Sequence, residues 1–470
     1  MRVAIIGAGI SGLGAAITLA HDGHDVVVCE RDATPLPHSP DEAFDWDRRG
    51  APQVRHSHAF LARGRNLLRD QLPEVRQALL DAGAYEVAWG DMPSDTLDDP
   101  SPQPTDDDLV MLACRRTTFE WVLRRSALGT DRVEIRDGTL VTGLQTANGN
   151  GPPRVTGVTT ASSDIDADVV LDATGRPGHL VDHLSNVGVP LTEDKSGTGI
   201  VYLSRFYRLR DGVDVPDPLA FNGADLGYLK FAVFRSDNRT FSITLAYSPE
   251  DEQMQSLRDE TRFDAAIAQF EVMAKWTNPE VAEPISPVHY MGGLINRVRH
   301  FVVDDEPVVL GLHAVGDSSV CTNPLYGRGC SLGLVHGVLF ADTVREHCAD
   351  LHDLAMSFDE ATKRELWPWY TASVQQDDTS MKVMRGEELN DFETFVRSLV
   401  REGVFPATRT DAVVSRAWFR AFNLLTSPDA LMTDVDVMRR VMDVWNERDA
   451  REPEPLQGPT REELFQRLED

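Results

Sequence analysis

The chain has little positive charge for its length. Its 470 residues include 46 lysines and arginines against 75 aspartates and glutamates, which gives a formal net charge of −29. A surface field of that sign repels phosphate backbones and anionic lipid. We therefore expect no nucleic-acid partner and no stable membrane anchoring. Lysine itself is scarce, with five in the chain, the first at Lys195.

Cysteine and long apolar segments are also sparse. The five cysteines are an odd number and show neither a CxxC pair nor the Cys/His spacing of a zinc site. No run of about 18 apolar residues is present, and the chain enters a strand pattern without a separate charged leader. These absences argue against a disulfide framework and a metal site, and they predict a soluble cytoplasmic protein.

The remaining composition is that of a globular protein with several domains. Hydrophobic residues make up 41% of the chain, which is within the usual range for soluble proteins. At roughly 150 residues per domain, the length predicts about three domains.

The first thirty residues have the pattern of one βαβ unit. The apolar run RVAII at residues 2–6 is followed by GAGISG at residues 7–12, by a helical stretch, and by a second apolar strand that ends at Glu30. GxGxxG between a strand and a helix, with an acidic residue at the end of the next strand, is the fingerprint of a dinucleotide-binding site.

Each position of this fingerprint has a chemical role. Gly7 permits the tight turn, Gly9 lets the backbone approach a pyrophosphate, and Gly12 allows the helix to pack closely on the strand. The helix N-terminus, which includes Ser11, presents N–H groups to the anion. Glu30 would accept hydrogen bonds from ribose hydroxyls and repel a 2′-phosphate, which favours FAD or NAD over NADP.

A second candidate ligand-binding segment lies far along the chain. The strand pattern VVLGLHAV at residues 308–315 is followed by Asp317, by Pro324 and by a GRG turn at residues 327–329 that opens a helix. Asp317 can accept a hydrogen bond from a ribityl hydroxyl, and the helix N-terminus can stabilise negative charge on a reduced isoalloxazine ring. Alternatively, Asp317 is a helix N-cap.

The combination of GxGxxG with this distant GD…P…GxG pattern resembles the FAD-dependent monooxygenases of the p-hydroxybenzoate hydroxylase class. Residues 169–176 (VVLDATGR) look like the middle strand motif of that family. Residues 48–58 (RRGAPQVRHSH) are similar to the RxGxPQxRHxH segment of a narrower branch that includes polyether epoxidases of the lasalocid type. The resemblance covers roughly residues 1–345.

The resemblance implies an α/β fold with three parts. These are a Rossmann-like FAD-binding domain of the glutathione-reductase-like, p-hydroxybenzoate hydroxylase type, an antiparallel-sheet substrate domain, and a helical C-terminal region. We assign residues 1–70, 105–198 and 288–345 to the FAD-binding domain, 71–104 and 199–287 to the substrate domain, and 346–470 to the helical region.

Helical periodicity marks further segments. Residues 64–82 read as one helix. Among the C-terminal helices, Val414, Trp418, Phe422 and Leu425 recur at helical spacing. We interpret this stripe as a buried core face and not as part of a cofactor site.

The resemblance also implies a set of site residues. In that family an arginine corresponding to Arg48 reaches the cofactor's phosphates, and Arg116 matches another position near the cofactor. No catalytic residue is assigned, because the flavin supplies the reactive group. The candidates for the substrate or flavin face are Tyr326, Arg328, Gln53 and His58. Alternatively, Tyr326 and Arg328 only shape the turn. The predicted cofactor-binding residues are Gly7, Gly9, Ser11, Gly12, Glu30, Arg31, Arg48, Arg116, Asp317, Pro324, Gly327 and Gly329.

The function implied by the resemblance is that of a monooxygenase. It would insert one oxygen atom from O₂ into a small organic substrate, by hydroxylation or epoxidation, through a flavin C4a-hydroperoxide. Two alternatives stay open: an FAD-dependent alkene reductase of the geranylgeranyl reductase type, and a non-catalytic binder on the same fold. A flavin-dependent halogenase is disfavoured, because that family uses a lysine and a WxWxIP motif, and the first lysine here is Lys195.

The electron donor is left open by the single nucleotide fingerprint. FAD would be reduced either by NAD(P)H directly or by an external flavin reductase. The epoxidase-like segment favours the external reductase.

Overall fold

The computed structural model describes residues 1–92, 96–147, 151–216, 221–452 and 457–469. Its strands, β1 to β21 in chain order, are Arg2–Ile6, Asp25–Cys29, Tyr85–Ala88, Val110–Ala113, Val133–Arg136, Val141–Ala147, Arg154–Thr160, Asp164–Asp166, Val169–Asp172, Thr192–Gly197, Val201–Leu209, Phe221–Asp225, Lys230–Arg235, Thr240–Tyr247, Ala282–Pro284, His289–Met291, Ile295–His300, Val302–Val303, Glu306–Pro307, Leu312–Ala314 and Val320–Cys321. Its α-helices, α1 to α17 in chain order, are Ile10–His21, Pro40–Ala43, Ala62–Gln71, Pro73–Asp81, Arg116–Leu128, Leu180–Asn186, Glu260–Ile267, Glu271–Thr277, Gly329–His347, Leu351–Glu365, Trp367–Met384, Asp391–Ser398, Phe405–Thr410, Ala412–Phe422, Ala430–Thr433, Val435–Asn446 and Arg461–Glu469.

A five-stranded parallel sheet, ordered β20-β9-β1-β2-β5, forms the first layer of the fold. The sheet is covered on both faces. In β1, Val3 and Ile5 belong to one hydrophobic cluster and Ala4 and Ile6 to another. A strand buried on both faces needs apolar residues at every position, and this explains the uninterrupted run RVAII.

Helices α1 and α9 cross closely on one face of this sheet. A Cβ atom built on Gly14 would lie 2.7 Å from Leu334 Cδ1, and one built on Gly337 would lie 2.3 Å from the Ser11 carbonyl oxygen. Glycine at these positions therefore allows the two helices to approach. As a result, the start of α1 lies against the first turns of α9, so the two ends of the predicted cofactor site face the same space.

The second layer is an antiparallel sheet of six strands, ordered β12-β13-β14-β11-β15, with β16 paired to β11. Its core includes the fully buried Phe241 and Trp276 together with side chains of α7 and α8. Apolar and polar residues alternate in much of the sequence between residues 199 and 247, a pattern that predicts antiparallel strands. Leu464 and Phe465 of α17 also pack into this core. No pattern in the sequence predicts that contact.

The C-terminal region is helical, as predicted, from α10 to α17, and a π-helical segment, Leu399–Val404, joins α12 to α13. The prediction of one continuous helix over residues 64–82 is wrong. The segment is two helices, α3 and α4, because Pro73 has no N–H to donate to the preceding turn and begins a new helix instead. Within the described residues, no helix is both long and apolar enough to span a bilayer.

Candidate functional site

A cavity of about 2810 Å³ runs from the loop after β1, past the start of α9, to the helices beyond residue 390. Ligand pockets in proteins usually measure about 300–1,000 Å³. The cavity is therefore large enough for an extended dinucleotide and a second molecule together.

The glycine-rich loop forms one end of this cavity. Gly7 has a φ of +103°, and a Cβ on it would lie 2.8 Å from the Ala173 carbonyl oxygen. A Cβ on Gly12 would lie 2.2 Å from the Gly7 carbonyl oxygen, so Gly12 serves helix packing and does not line the cavity. A Cβ on Gly9 meets no atom within 4 Å and would project into open space beside the cavity. The three glycines thus have the conformations that a pyrophosphate loop requires.

Beside this loop, Glu30 and Arg48 lie buried in contact. Glu30 accepts hydrogen bonds from the backbone N–H groups of Ala8 and Asp32, each at 3.0 Å. Arg48 Nη2 lies 3.5 Å from Glu30 Oε2 and 3.4 Å from Glu120 Oε2. Arg48 Nε is buried with no hydrogen-bond partner among the described residues. A buried donor left without a partner is costly, and the phosphate of a dinucleotide would satisfy it.

His58 and Arg116 meet in the middle of the cavity. The Nδ1–H of His58 donates to the His56 carbonyl oxygen at 2.9 Å, and Arg116 Nη1 donates to His58 Nε2 at 3.2 Å. A carbonyl can only accept and a guanidinium can only donate, so His58 is neutral with its proton on Nδ1. Burial, together with the nearby Arg116 charge, lowers the pKa of His58 well below its usual value. Glu120 accepts from Arg116 at 2.8 Å and holds it in place.

Asp317, at the other end of the predicted cofactor site, lines the cavity from a short 3₁₀ turn at Gly316–Ser318. Its carboxylate caps no helix, since α9 begins only after Arg328. The alternative interpretation as an N-cap therefore has no support. Asp172, at the end of β9, fixes this turn by accepting hydrogen bonds from Thr174 and from the Ser318 hydroxyl.

Asp377 of α11 holds the turn that precedes α9. It accepts hydrogen bonds from Asn296 Nδ2 and Asn323 Nδ2, each at 2.7 Å, and from the Tyr326 hydroxyl at 2.9 Å. Burial raises the pKa of Asp377, against the effect of these three donors. No local sequence pattern indicates the role of Asp377, because its partners lie 51 to 81 positions away in the chain.

Arg328 is not brought to the cavity. Its guanidinium lies between two rings, with Cζ 4.7 Å from the centre of Tyr326 and 5.0 Å from that of Trp369, and Nη1 donates to Ser373. Burial lowers its pKa to about 10. This placement corrects its assignment to the flavin face and favours the other interpretation, that Arg328 shapes the turn.

The hydroxyls of Ser57 and of Ser204 and Thr244 on the antiparallel sheet form part of the cavity wall. Ser57 Oγ lies 2.6 Å from Ser242 Oγ and 2.7 Å from Thr244 Oγ1, and Ser204 Oγ lies 2.8 Å from Thr244 Oγ1. His56 Nδ1 contacts Ser204 at 3.0 Å. The sequence signals only the HxH pair, because the hydroxyls come from three separate segments. Within the described residues, no cluster of three His, Cys, Asp or Glu could hold a metal ion.

Most of the predicted site residues therefore share one cavity. The apolar stripe that begins on α14 is core in part, since Val414 is fully buried and Trp418 packs in the same cluster, but Trp418 and Phe422 also line this cavity. The predicted residues that line the cavity are Gly7, Gly9, Ser11, Glu30, Arg31, Arg48, Gln53, His58, Arg116, Asp317, Pro324, Tyr326, Gly327 and Gly329.

Comparison with known proteins identifies the fold. The sequence profile of the family described as FAD dependent oxidoreductase matches residues 2–99. Among the curated proteins, none matches this sequence. The structure is similar to PqsL, a probable FAD-dependent monooxygenase from Pseudomonas aeruginosa, with a TM-score of 0.57 and 15% identity over 82% of this chain and 96% of PqsL.

Two further solved structures are similar to this one. The myxobacterial chondrochloren halogenase CndH has a TM-score of 0.60 and 16% identity, over 97% of this chain and 98% of its own. The Diels-Alderase PyrE3 of pyrroindomycin biosynthesis has a TM-score of 0.58 and 16% identity, over 90% of this chain and 80% of its own.

The fold is the FAD-binding oxidoreductase fold. At 15–16% identity these likenesses show the architecture and leave the reaction open. Together with the profile match, they support a flavin-dependent enzyme. The orphaned Arg48 donor and the open space in front of Gly9 show that the residues present fit FAD.

Proposed function

We propose that this chain is an FAD-dependent monooxygenase that inserts one oxygen atom from O₂ into an organic substrate. The observation that carries the proposal is the continuous cavity that joins the pyrophosphate loop to Asp317 and the turn before α9, and then extends well beyond them. Bound FAD would supply the redox chemistry and the activation of O₂. The similarity of residues 48–58 to the epoxidase-like branch favours epoxidation as the finer assignment.

The residues of the chain would bind and orient the cofactor. The N–H groups at the start of α1 and Arg48 Nε would hold the pyrophosphate, Glu30 the ribose, and Asp317 a ribityl hydroxyl. Because His58 is neutral and has both ring nitrogens engaged, it fixes Arg116 without accepting a proton itself.

The C-terminal helices would exclude water from the reacting centre. Side chains of α11 and of the helices beyond residue 390 line the same cavity as the cofactor residues. A covered site protects reactive oxygen species from side reactions with water.

The first test is the visible absorption spectrum of the purified protein. A flavoprotein is yellow, or becomes yellow after incubation with FAD. Protein that stays colourless after that incubation would instead support the non-catalytic binder.

The second test distinguishes oxygen insertion from alkene reduction. The FAD-loaded protein is reduced and mixed with ¹⁸O₂ and a panel of alkenyl and aromatic acids. We expect products that carry one ¹⁸O atom. Products that gain two hydrogens without oxygen consumption would contradict the proposal and support the alkene reductase.

We also propose that a separate flavin reductase supplies the electrons. The support is the single nucleotide fingerprint in the sequence and the epoxidase-like segment at residues 48–58. Anaerobic mixing of the flavin-loaded protein with NADPH or NADH should leave the flavin oxidised over minutes, until a flavin reductase is added. Rapid bleaching by either nucleotide alone would overturn this part of the proposal.

A further inference from the structure

The far wall of the cavity carries two arginines on one helical surface. Arg397 lies in the last turn of α12, and Arg401 lies in the π-helical segment Leu399–Val404. Phe405 follows at the start of α13, and all three line the cavity at four-residue intervals. π-Helical turns are rare and occur frequently at functional sites. This wall is therefore a candidate for ligand binding.

Neither guanidinium has a partner in the described part of the chain. The neighbouring charges, in contrast, are paired: Lys382 lies 2.6 Å from Glu393, Lys230 lies 3.1 Å from Asp225, and Arg448 lies 3.9 Å from Glu402. In a chain with 75 acidic residues and a net charge of −29, two cations four residues apart that line a cavity and form no ion pair within the described residues need an explanation.

The two arginines also repel one another. Arg397 is half-buried, and burial together with the positive charge of Arg401 lowers its pKa, while Asp225 acts in the opposite direction. Like charges four residues apart destabilise a helix by a few tenths of a kcal/mol. An anion bound by both guanidiniums would remove this repulsion and gain charge-assisted hydrogen bonds.

The surroundings of this pair are apolar. Phe392 and Phe405 line the cavity although their side chains are 73% and 42% exposed. Trp418 packs edge-on against Phe405, with ring centres 6.1 Å apart, and stacks on Phe422 at 5.1 Å. Large exposed apolar side chains grouped on one cavity wall are typical of a surface that a ligand covers.

We propose that Arg397 and Arg401 bind the anionic end, a carboxylate or a phosphate, of a substrate whose remaining length is apolar and lies against Phe405, Trp418 and Phe422. The inference rests on the proposed function in taking this cavity as the substrate site. It adds the substrate class, an amphipathic acid, and the residues that recognise its charged end.

The test is equilibrium binding of three probes with the same chain, namely decanoate, decyl phosphate and 1-decanol. Isothermal titration calorimetry on the purified flavin-loaded protein should show at least one anion binding about tenfold more tightly than 1-decanol, equivalent to about 1.4 kcal/mol. Because the preference is electrostatic, it should shrink as salt is raised. Equal binding of all three probes, or binding of none, would overturn the proposal.

Variants locate the charged end. Arg397→Gln combined with Arg401→Gln should abolish the preference for the anion and leave 1-decanol binding unchanged. The matched control, Arg364→Gln combined with Arg439→Gln, removes two exposed, ion-paired arginines outside the cavity. It should retain the preference. Retention of the preference in the first variant would overturn the proposal.

Two further measurements keep the outcomes separate. Thermal melting and flavin absorbance report whether each variant is folded and loaded, and Arg401→Gln alone, at an exposed position, replaces the double variant if that fails to fold. Binding is measured without turnover. Failure of oxygen insertion therefore leaves the binding result intact, and absence of the anion preference leaves the monooxygenase proposal intact.

Discussion

Gly9 is a residue at which we expect cofactor binding to depend on the lack of a side chain. Its Cβ position faces open space, so valine fits the apoprotein but occupies the path of the pyrophosphate. We expect Gly9→Val to lower FAD affinity at least about tenfold, equivalent to about 1.4 kcal/mol, measured by fluorescence titration of the apoprotein. The control Gly90→Val also places a side chain in open space but lies outside the cavity, and it should bind FAD normally. Equal affinities would contradict the assigned role of Gly9.

Asp317 allows a second test at the scale of a residue. Its carboxylate lines the cavity and caps no helix, so its removal should cost cofactor affinity and little stability. We expect Asp317→Ala to lose about 1–2 kcal/mol of FAD binding with an unchanged melting temperature of the apoprotein. Asp353→Ala, at an exposed position of α10, serves as the control. A lower melting temperature with normal FAD affinity would show that Asp317 is structural.

The site residues that the sequence predicts are those whose role depends on local spacing. GxGxxG and Glu30 lie within one βαβ unit, so chain geometry alone brings them together. Arg328 also lies in a local motif, the GRG turn at residues 327–329, but the rings of Tyr326 and Trp369 determine where its side chain points. The packing of Trp369, which lies on another helix, could not be predicted from the turn sequence.

Among the elements, α11 connects the C-terminal region, through Asp377, to the turn that precedes α9. Replacement of Asp377 by Asn would place an amide N–H₂ group opposite the donors Asn296, Asn323 and Tyr326. We expect a loss of about 1–3 kcal/mol of stability, together with weaker retention of FAD. Asp378→Asn changes the neighbouring carboxylate, which faces Lys382 at 2.9 Å on a more exposed surface, and should cost less than about 1 kcal/mol. Urea unfolding measures both variants, and equal losses would contradict the anchoring role.

Element prediction succeeds for the buried strands and is incomplete where one apolar helix face is covered partly by a core and partly by a cavity. On α16, Met438, Val441, Met442 and Trp445 recur at helical spacing, and they pack into a core around Val441. The stripe on α14 reaches the same core through Val414 and Trp418, but Trp418 and Phe422 also line the cavity. Periodicity reports that a helix face is apolar, while the cover of that face, another helix or a ligand, depends on tertiary packing.

For the whole molecule, buried histidines predict sensitivity to mild acid. Burial lowers the pKa of His56 and His336 to about 3 and that of His313 to about 4. In the unfolded chain each titrates near 6.5, so between that pH and the folded pKa the unfolded state binds more protons. The contribution of these histidines to the free energy of unfolding is therefore complete above about pH 6.5. It falls as the pH drops towards 4, by up to about 1.4 kcal/mol per pH unit for each histidine.

Urea unfolding of the apoprotein at pH 7.5 and 5.5 tests this prediction. His313 is suited to a variant, because its Nε2 has no hydrogen-bond partner among the described residues and its ring packs between Phe340 and Phe358. His313→Leu should flatten the pH dependence by about 1 kcal/mol over this interval, whereas His352→Leu, at an exposed site, should leave it unchanged. Carboxylates with lowered pKa, such as Glu86 at about 2, titrate below this interval, and a pH dependence that is the same in His313→Leu and in the unchanged protein would contradict the burial of a neutral His313.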